Sequence, residues 1–382
     1  MRTISFLQPK RLDVGSGSIN QCIRYLEQFS GRSVHILGIP SQQVAAEAIA
    51  TQLRQVGCTV SLDCSVTSEP TIAFFHAALA RARAVSAACI VGIGGGSALD
   101  LAKLVAAFLD NPQPVEETFG IGLLRGRSCH LVCIPTTSGT GSEVSPNAIL
   151  LDESTQLKKG VVSPYLVPDA TFIDPALTLS VPPAVTAATG LDALTHCIEA
   201  YTNKFAHPLV DVYALEGIAR CSKFLLQAVK EPANLAARES MSIVSLYGGL
   251  CLGPVNTAAV HALAYPLGGE FHIAHGLSNA ILLPHVFRFN AEASPSRHAK
   301  VALALGVVPR ATDLETAYAA ADHLQTLAQQ CDLDLNLASH GVQRSAVPHL
   351  AKAAMTVTRL LQNNPRELTE RDCCNLYTQC FA

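Results

Sequence analysis

The stretch Ile90-Val-Gly-Ile-Gly-Gly-Gly-Ser-Ala-Leu-Asp-Leu-Ala-Lys103 decides the fold class. It continues an apolar run from Ala87 that reads as a buried strand ending at Ile93, and the pattern from Ser97 onward is helical. Between them lie three glycines. Residues without a Cβ let an anion approach the main chain, and the N–H groups at a helix start favour negative charge. The spacing is neither G-x-G-x-x-G nor a P-loop, so the turn reads as a diphosphate seat or as a plain tight connection. Ser97 is expected to cap the helix.

Upstream, Ser33 to Gly38 and Cys58 to Asp63 read as strands, with helices over Ser41 to Val56 and Thr71 to Val85. This alternation indicates a parallel sheet covered by helices. Downstream, a strand over Cys129 to Ile134 runs into a second small-residue turn, Pro135-Thr-Thr-Ser-Gly-Thr-Gly-Ser-Glu143. Two such turns at the carboxyl ends of parallel strands face the crevice where open α/β sheets bind ligands. Together they favour a dinucleotide over a solvated Ser/Thr loop. Strand-like pieces recur at Ala148 to Leu151 and Ala170 to Ile173, and beyond about residue 178 Ala- and Leu-rich helical patterns take over. The expected organisation is an α/β dinucleotide-binding domain over 1–177 and a helical metal-binding domain over 178–382, with the boundary near Asp174-Pro175.

Bulk composition agrees with this and excludes other classes. A chain of 382 residues, 49% hydrophobic and 15% charged, is too long for one core. Its net charge of -3 and scattered Lys and Arg offer no field for nucleic acid. Most of the 13 cysteines lie singly in apolar stretches, which reads as reduced thiols and a cytoplasmic protein. Neither a signal-peptide core nor an 18-residue apolar run is present, so no membrane partner is expected.

In the helical half, Gly190-Leu-Asp-Ala-Leu-Thr-His-Cys-Ile-Glu-Ala-Tyr201 sets Asp192 and His196 four apart, on one helix face. Alone, the pair reads equally as a hydrogen-bonded Asp and His at a helix start. The stretch Val260-His-Ala-Leu-Ala-Tyr-Pro-Leu-Gly-Gly-Glu-Phe-His-Ile-Ala-His-Gly276 then adds His261, His272 and His275. His261 is expected on a helix that Pro266 and Gly268-Gly269 terminate, and His275 at the start of the next. One carboxylate and three neutral imidazoles suit Fe(II) or Zn(II), while histidines bonded to backbone carbonyls are the bland alternative.

These segments, with Ala274-His-Gly-Leu-Ser-Asn-Ala-Ile-Leu-Leu-Pro-His-Val286 and Asn363-Asn-Pro-Arg366, resemble the iron-containing (group III) alcohol dehydrogenases in order and spacing across nearly the whole chain. The resemblance implies a Rossmann-like N-terminal domain with a parallel sheet and an all-α C-terminal domain, the dehydroquinate synthase-like architecture. It implies an NAD- or NADP-dependent alcohol dehydrogenase or aldehyde reductase, a homodimer, with metal ligands Asp192, His196, His261 and His275. Gly94, Gly95, Gly96, Ser97 and Asp100 would hold the pyrophosphate, Thr136, Thr137 and Thr140 the ribose and nicotinamide end. Lys158, or Lys159 if the alignment slips, falls near the family's cofactor lysine. Three positions depart from the pattern. Leu37-Gly-Ile-Pro40 lacks the acidic residue that discriminates against NADP, Tyr265 replaces a third histidine, and Glu69 stands where Asn is common. Tyr265 or His272 would serve in proton transfer, and Asn147 and Leu252 would line the substrate pocket. A dehydroquinate synthase-like lyase would need more basic residues, a maleylacetate reductase-like enzyme would not need the four ligands, and a non-catalytic cofactor-binding protein would show no turnover with short aldehydes.

Overall fold

The computed structural model describes residues 2–155 and 157–381; Met1, Gln156 and Ala382 lie outside the described residues. The chain divides into two compact units. One comprises residues 6–137 and 141–179, the other residues 1–5, 138–140 and 180–382.

The first unit is built on a sheet of six strands: β1 (Arg11–Val14), β2 (Ser33–Gly38), β3 (Thr59–Asp63), β4 (Cys89–Gly94), β6 (His130–Pro135) and β9 (Ala170–Ile173). Their order is β1-β9-β6-β4-β2-β3, and every pairing is parallel. The sheet takes its core from Val34, Ile36, Ile90, Val91, Ile93, Leu131, Val132 and Phe172, all buried. Helices α1 (Ser18–Leu26), α2 (Gln43–Gln55), α3 (Ile72–Ala84) and α4 (Gly96–Phe108) supply the covering faces. A smaller sheet joins β5 (Gly120–Ile121), β7 (Asn147–Asp152) and β8 (Leu157–Val162) in the order β5-β8-β7, with β7 and β8 antiparallel. The strands β1, β5 and β8 carry too few β-branched residues to stand out in the sequence, and β1 and β5 are too short.

The second unit is helical among its described residues: α5 (Pro183–Thr202), α6 (Pro208–Lys230), α7 (Leu235–Leu252), α8 (Ala259–Phe271), α9 (His275–Ala291), then further helices to Gln379. Its apolar core runs through Leu194, Ile198, Leu225, Val244, Leu263 and Ile281.

Three local expectations are corrected. Ser97 does not cap α4, because Gly95 occupies the cap position in extended backbone with no side-chain bond. The glycine lets the main chain enter the helix where a serine side chain would stand against Thr137. Asp192 and His196 lie not at a helix start but in the middle of α5, which begins at Pro183. Finally, α8 runs through Pro266 and Gly268-Gly269 to Phe271. Its buried face, Ala259 to Ala264 with Leu267, holds the helix together across the bond that Pro266 cannot donate. The helix ends at His272, whose backbone is left-handed at φ 55°.

Candidate metal centre and cofactor pocket

In the α/β unit the two small-residue turns leave adjacent strands, β4 and β6, at their carboxyl ends. Thr136 N–H donates to Gly94 C=O at 2.9 Å, which ties one turn to the other. Gly94 is at φ 153°, and a Cβ there would sit 2.8 Å from Ala98 Cβ, so only glycine fits. A pocket of about 470 Å³ opens beside them, lined by Ile39–Ser41, Thr67–Glu69, Gly95–Ser97 and Thr137. Glu69 on its wall pairs with Lys158 at 2.8 Å, and the lysine side chain is 4% exposed. The Thr136 hydroxyl is buried with no hydrogen-bond partner. A glycine cradle, the amide end of α4 and a concave wall fit a diphosphate and its nucleoside.

Asp100 is placed differently from a residue that would touch a ligand. Its carboxylate accepts from the Ser142 hydroxyl and from Ile149 N–H at 2.9 Å. One turn on, the fully buried Lys103 donates to the carbonyls of Ser142 and Ser145, both at 2.9 Å, and of Asn147. Burial pushes the Asp100 carboxyl up and the Lys103 ammonium down, and their mutual attraction opposes both shifts. The pair therefore binds the chain that follows the second turn. Asn147, expected near substrate, opens β7 and gives its carbonyl to this lysine, and Leu252 is buried at the end of α7. Thr140 counts with the helical unit.

In the helical unit, Asp192 Oδ1 lies 3.7 Å from His196 Nε2, 3.5 Å from His261 Nε2 and 3.7 Å from His275 Nε2. Ligand atoms about 2.1 Å from one tetrahedral ion are roughly 3.5 Å apart, so these separations suit a shared cation. Ligand atoms of Asp192, His261 and His275 lie within 4.8 Å of one another, whereas His196 approaches Asp192 without joining that mutually close set. The His196 and His261 rings stack at 4.7 Å, and His261 meets His275 edge-on at 5.2 Å. Asp192, His196 and His261 are buried, while the His275 side chain is 29% exposed.

Helix geometry puts these groups together. Asp192 and His196 share one face of α5 by their four-residue spacing, and α7 comes so close at Gly248 that a Cβ there would stand 3.0 Å from His196 Cβ. His261 lies in the first turn of α8, and His275 is the first residue of α9. Burial raises the pKa of the Asp192 carboxyl, but His196, His275 and His261 outweigh it and hold it far below the usual carboxylate range. For His261, burial works downward and the carboxylates Glu199 and Asp192 upward, with a net value of about 9. His196 is lowered by burial against the pull of Asp192. Once the extra proton of His261 is displaced, the buried carboxylate and the imidazole nitrogens around it form an arrangement that a divalent cation completes.

Two side chains with roles at this centre went unassigned in the sequence reading. Glu199, buried on α5, accepts from Ala258 N–H at 3.0 Å, Val260 N–H at 2.6 Å and His261 Nδ1 at 2.6 Å. It anchors the start of α8 and leaves His261 Nε2 facing Asp192. Asn279, one turn past His275, directs its amide nitrogen at Asp192 Oδ1 from 2.7 Å. The signal that could have found both is spacing: Glu199 stands three residues after His196 and Asn279 four after His275, each on the helix face of a candidate ligand. The Tyr265 ring lies 6.2 Å from that of His275. His272 is exposed, and among the described residues no hydrogen bond or ring contact joins it to the four.

Comparison with known proteins converges with this geometry. The sequence profile of "Iron-containing alcohol dehydrogenase" matches residues 9–175, and that of "Fe-containing alcohol dehydrogenase family, C-terminal" matches residues 186–381. The chain is 37% identical to long-chain-alcohol dehydrogenase 1 of Geobacillus thermodenitrificans, over 98% of this chain and 96% of that one. The crystal structure of a 1,3-propanediol oxidoreductase superposes with a TM-score of 0.95 at 31% identity, covering 100% of both chains. The sulfoacetaldehyde reductase of Bifidobacterium kashiwanohense, solved in complex with NAD+, superposes with a TM-score of 0.86 at 26% identity, covering 100% of this chain and 99% of that one. The chain belongs to the iron-containing alcohol dehydrogenase family and is an oxidoreductase that interconverts a CH–OH group and the matching carbonyl.

Proposed function

We propose that the chain reduces small aldehydes, and oxidises the corresponding alcohols, with Fe(II) held by Asp192, His196, His261 and His275 and with NAD or NADP held by the glycine turns. The observation that carries this reading is the convergence of three Nε2 atoms on Asp192 Oδ1 at 3.5 to 3.7 Å. When bound, the ion supplies Lewis acidity at the substrate oxygen and the nicotinamide supplies or accepts the hydride. Asp192 contributes the one negative charge and His196, His261 and His275 the neutral donors, with Glu199 orienting His261. Gly94, Gly95, Gly96 and Ser97 receive the pyrophosphate against the start of α4, and Thr136, Thr137 and Thr140 follow along the cofactor. Asp100 acts indirectly, by fixing Ser142 and Ile149. Lys158, paired with Glu69 at the pocket wall, meets the adenosine side. The end of β2 presents Ile39, Pro40 and Ser41 to the pocket rather than an acidic side chain, and the Glu69 carboxylate on the wall is paired with Lys158, which supports use of both NAD and NADP. Tyr265, whose ring lies 6.2 Å from that of His275, is the nearer candidate for proton transfer, and His272 is the second. The unpaired thiols support a cytoplasmic setting, and the family resemblance supports a homodimer.

The test is oxidation of NADH and NADPH with a panel of short and long aliphatic aldehydes, using protein purified without air, then chelated, then given Fe(II) or Zn(II). Turnover lost on chelation and restored by Fe(II) is expected. Full turnover after chelation, or in an Asp192→Asn variant that binds no metal, overturns the reading.

A further inference from the structure

Asn279 follows His275 by one turn of α9, so both side chains leave the same face, and it is fully buried. Its amide nitrogen is 2.7 Å from Asp192 Oδ1, 3.2 Å from His261 Nε2 and 3.4 Å from His275 Nε2. Its amide oxygen is buried with no hydrogen-bond partner. An unbonded buried carbonyl costs about 1–3 kcal/mol, so something must outweigh it. The opposite amide orientation would set oxygen against the Asp192 oxygen with no proton between them, which is worse. The donor end is therefore held toward the carboxylate by the acceptors gathered around it.

We propose that Asn279 is a positioning residue of the metal centre, whose NH2 group fixes Asp192 Oδ1 toward the three histidine nitrogens and keeps these ligand atoms together before an ion arrives. The inference rests on the ligand reading above and extends it to a side chain that is not one of the four ligands. Without the donor, Asp192 turns more freely and its oxygen meets the imidazoles only part of the time. Preorganisation of this kind acts on affinity rather than on the identity of the ligands.

The test uses the full chain, stripped with a chelator and titrated with Co(II). Affinity is read by competition with a chromophoric chelator, and geometry by the visible Co(II) spectrum. Asn279→Leu keeps the volume and removes the donor. Its affinity is expected to fall about 10–100-fold, with a changed spectrum. Asn279→Asp keeps the shape but turns an acceptor toward Asp192. Its ion-free form is expected to melt below the native protein, and Co(II) is expected to raise its Tm by more than it raises the native one. If Asn279→Leu does not fold, Asn279→Asp decides. Native affinity, spectrum and Tm response in the variants overturn the proposal. A His261→Ala control separates the two levels. If it still binds Co(II) as the native chain does, the ligand assignment fails and this inference with it. If it loses Co(II) while the Asn279 variants do not, only the role of Asn279 fails.

Discussion

Glu199 illustrates how much of this centre depends on atoms that need not touch an ion. With Nδ1 of His261 committed to Glu199 at 2.6 Å, the ring is fixed in rotation and Nε2 is left to face Asp192. Glu199→Gln preserves shape and one acceptor but weakens that orientation, so affinity for Co(II) or Fe(II) is expected to fall about 10–100-fold, read by chelator competition. Tyr265 calls for a different measurement. Tyr265→Phe removes the hydroxyl of a ring centred 6.2 Å from that of His275 and leaves the four candidate donors in place, and kcat is expected to fall about 10–100-fold while metal affinity stays native. Asp192, His196, His261 and His275 stood out as candidate ligands because an Asp and three histidines in apolar helices are conspicuous. Glu199 and Asn279 were not, because a polar residue on a helix is ordinary until the partner helix is known to lie against it.

Helix contacts set the next level of constraint. At Gly276, directly after His275, a Cβ would fall 2.3 Å from the Ala188 carbonyl oxygen and 2.7 Å from its carbon, and backbone cannot swing aside as a side chain can. Gly276→Ala is therefore expected to push α9 off α5, lowering stability by about 1–3 kcal/mol in denaturant melts and weakening metal binding with it. The helix over Pro295–Ala304 provides a pH test. Its His298 is buried against Phe287, and burial together with Arg297 lowers its pKa to about 4 against the backbone bond to Ser294. An unfolded chain takes up this proton near pH 6.5 and the folded one only near 4. Stability is thus fully present above about pH 6.5 and declines as pH falls toward about 4, by roughly 3 kcal/mol at most. Melts of metal-free protein across that range are expected to show the slope, and His298→Gln to flatten it. Element boundaries followed hydrophobic period well where runs were long, as in α2, α3 and β2. They failed at α8, where packing carries a helix through a proline that by local rule should stop it.

For the molecule as a whole, the cysteine reading offers a direct check. All 13 thiols are unpaired, and only Cys64 and Cys374 are other than buried. Brief alkylation of the native protein, followed by mass spectrometry, is expected to label at most these two, the remaining eleven reacting only after denaturation. That a helical part follows an α/β part was visible where the β-rich runs give way to helical patterns. The interleaving of residues 1–5 and 138–140 with the helical part was not, since no local pattern marks a strand of chain that crosses from one body to another. One feature of the large sheet bears on how the protein is made. Its first strand, β1, has its hydrogen-bonded partner in β9, so Arg11 must find Ala170. At about 5–20 residues per second, translation delivers that partner only about 10–30 s after β1 has left the ribosome. During that interval the opening segment has no ladder to join, and chaperone occupancy on nascent chains of increasing length should drop once Ile173 has emerged.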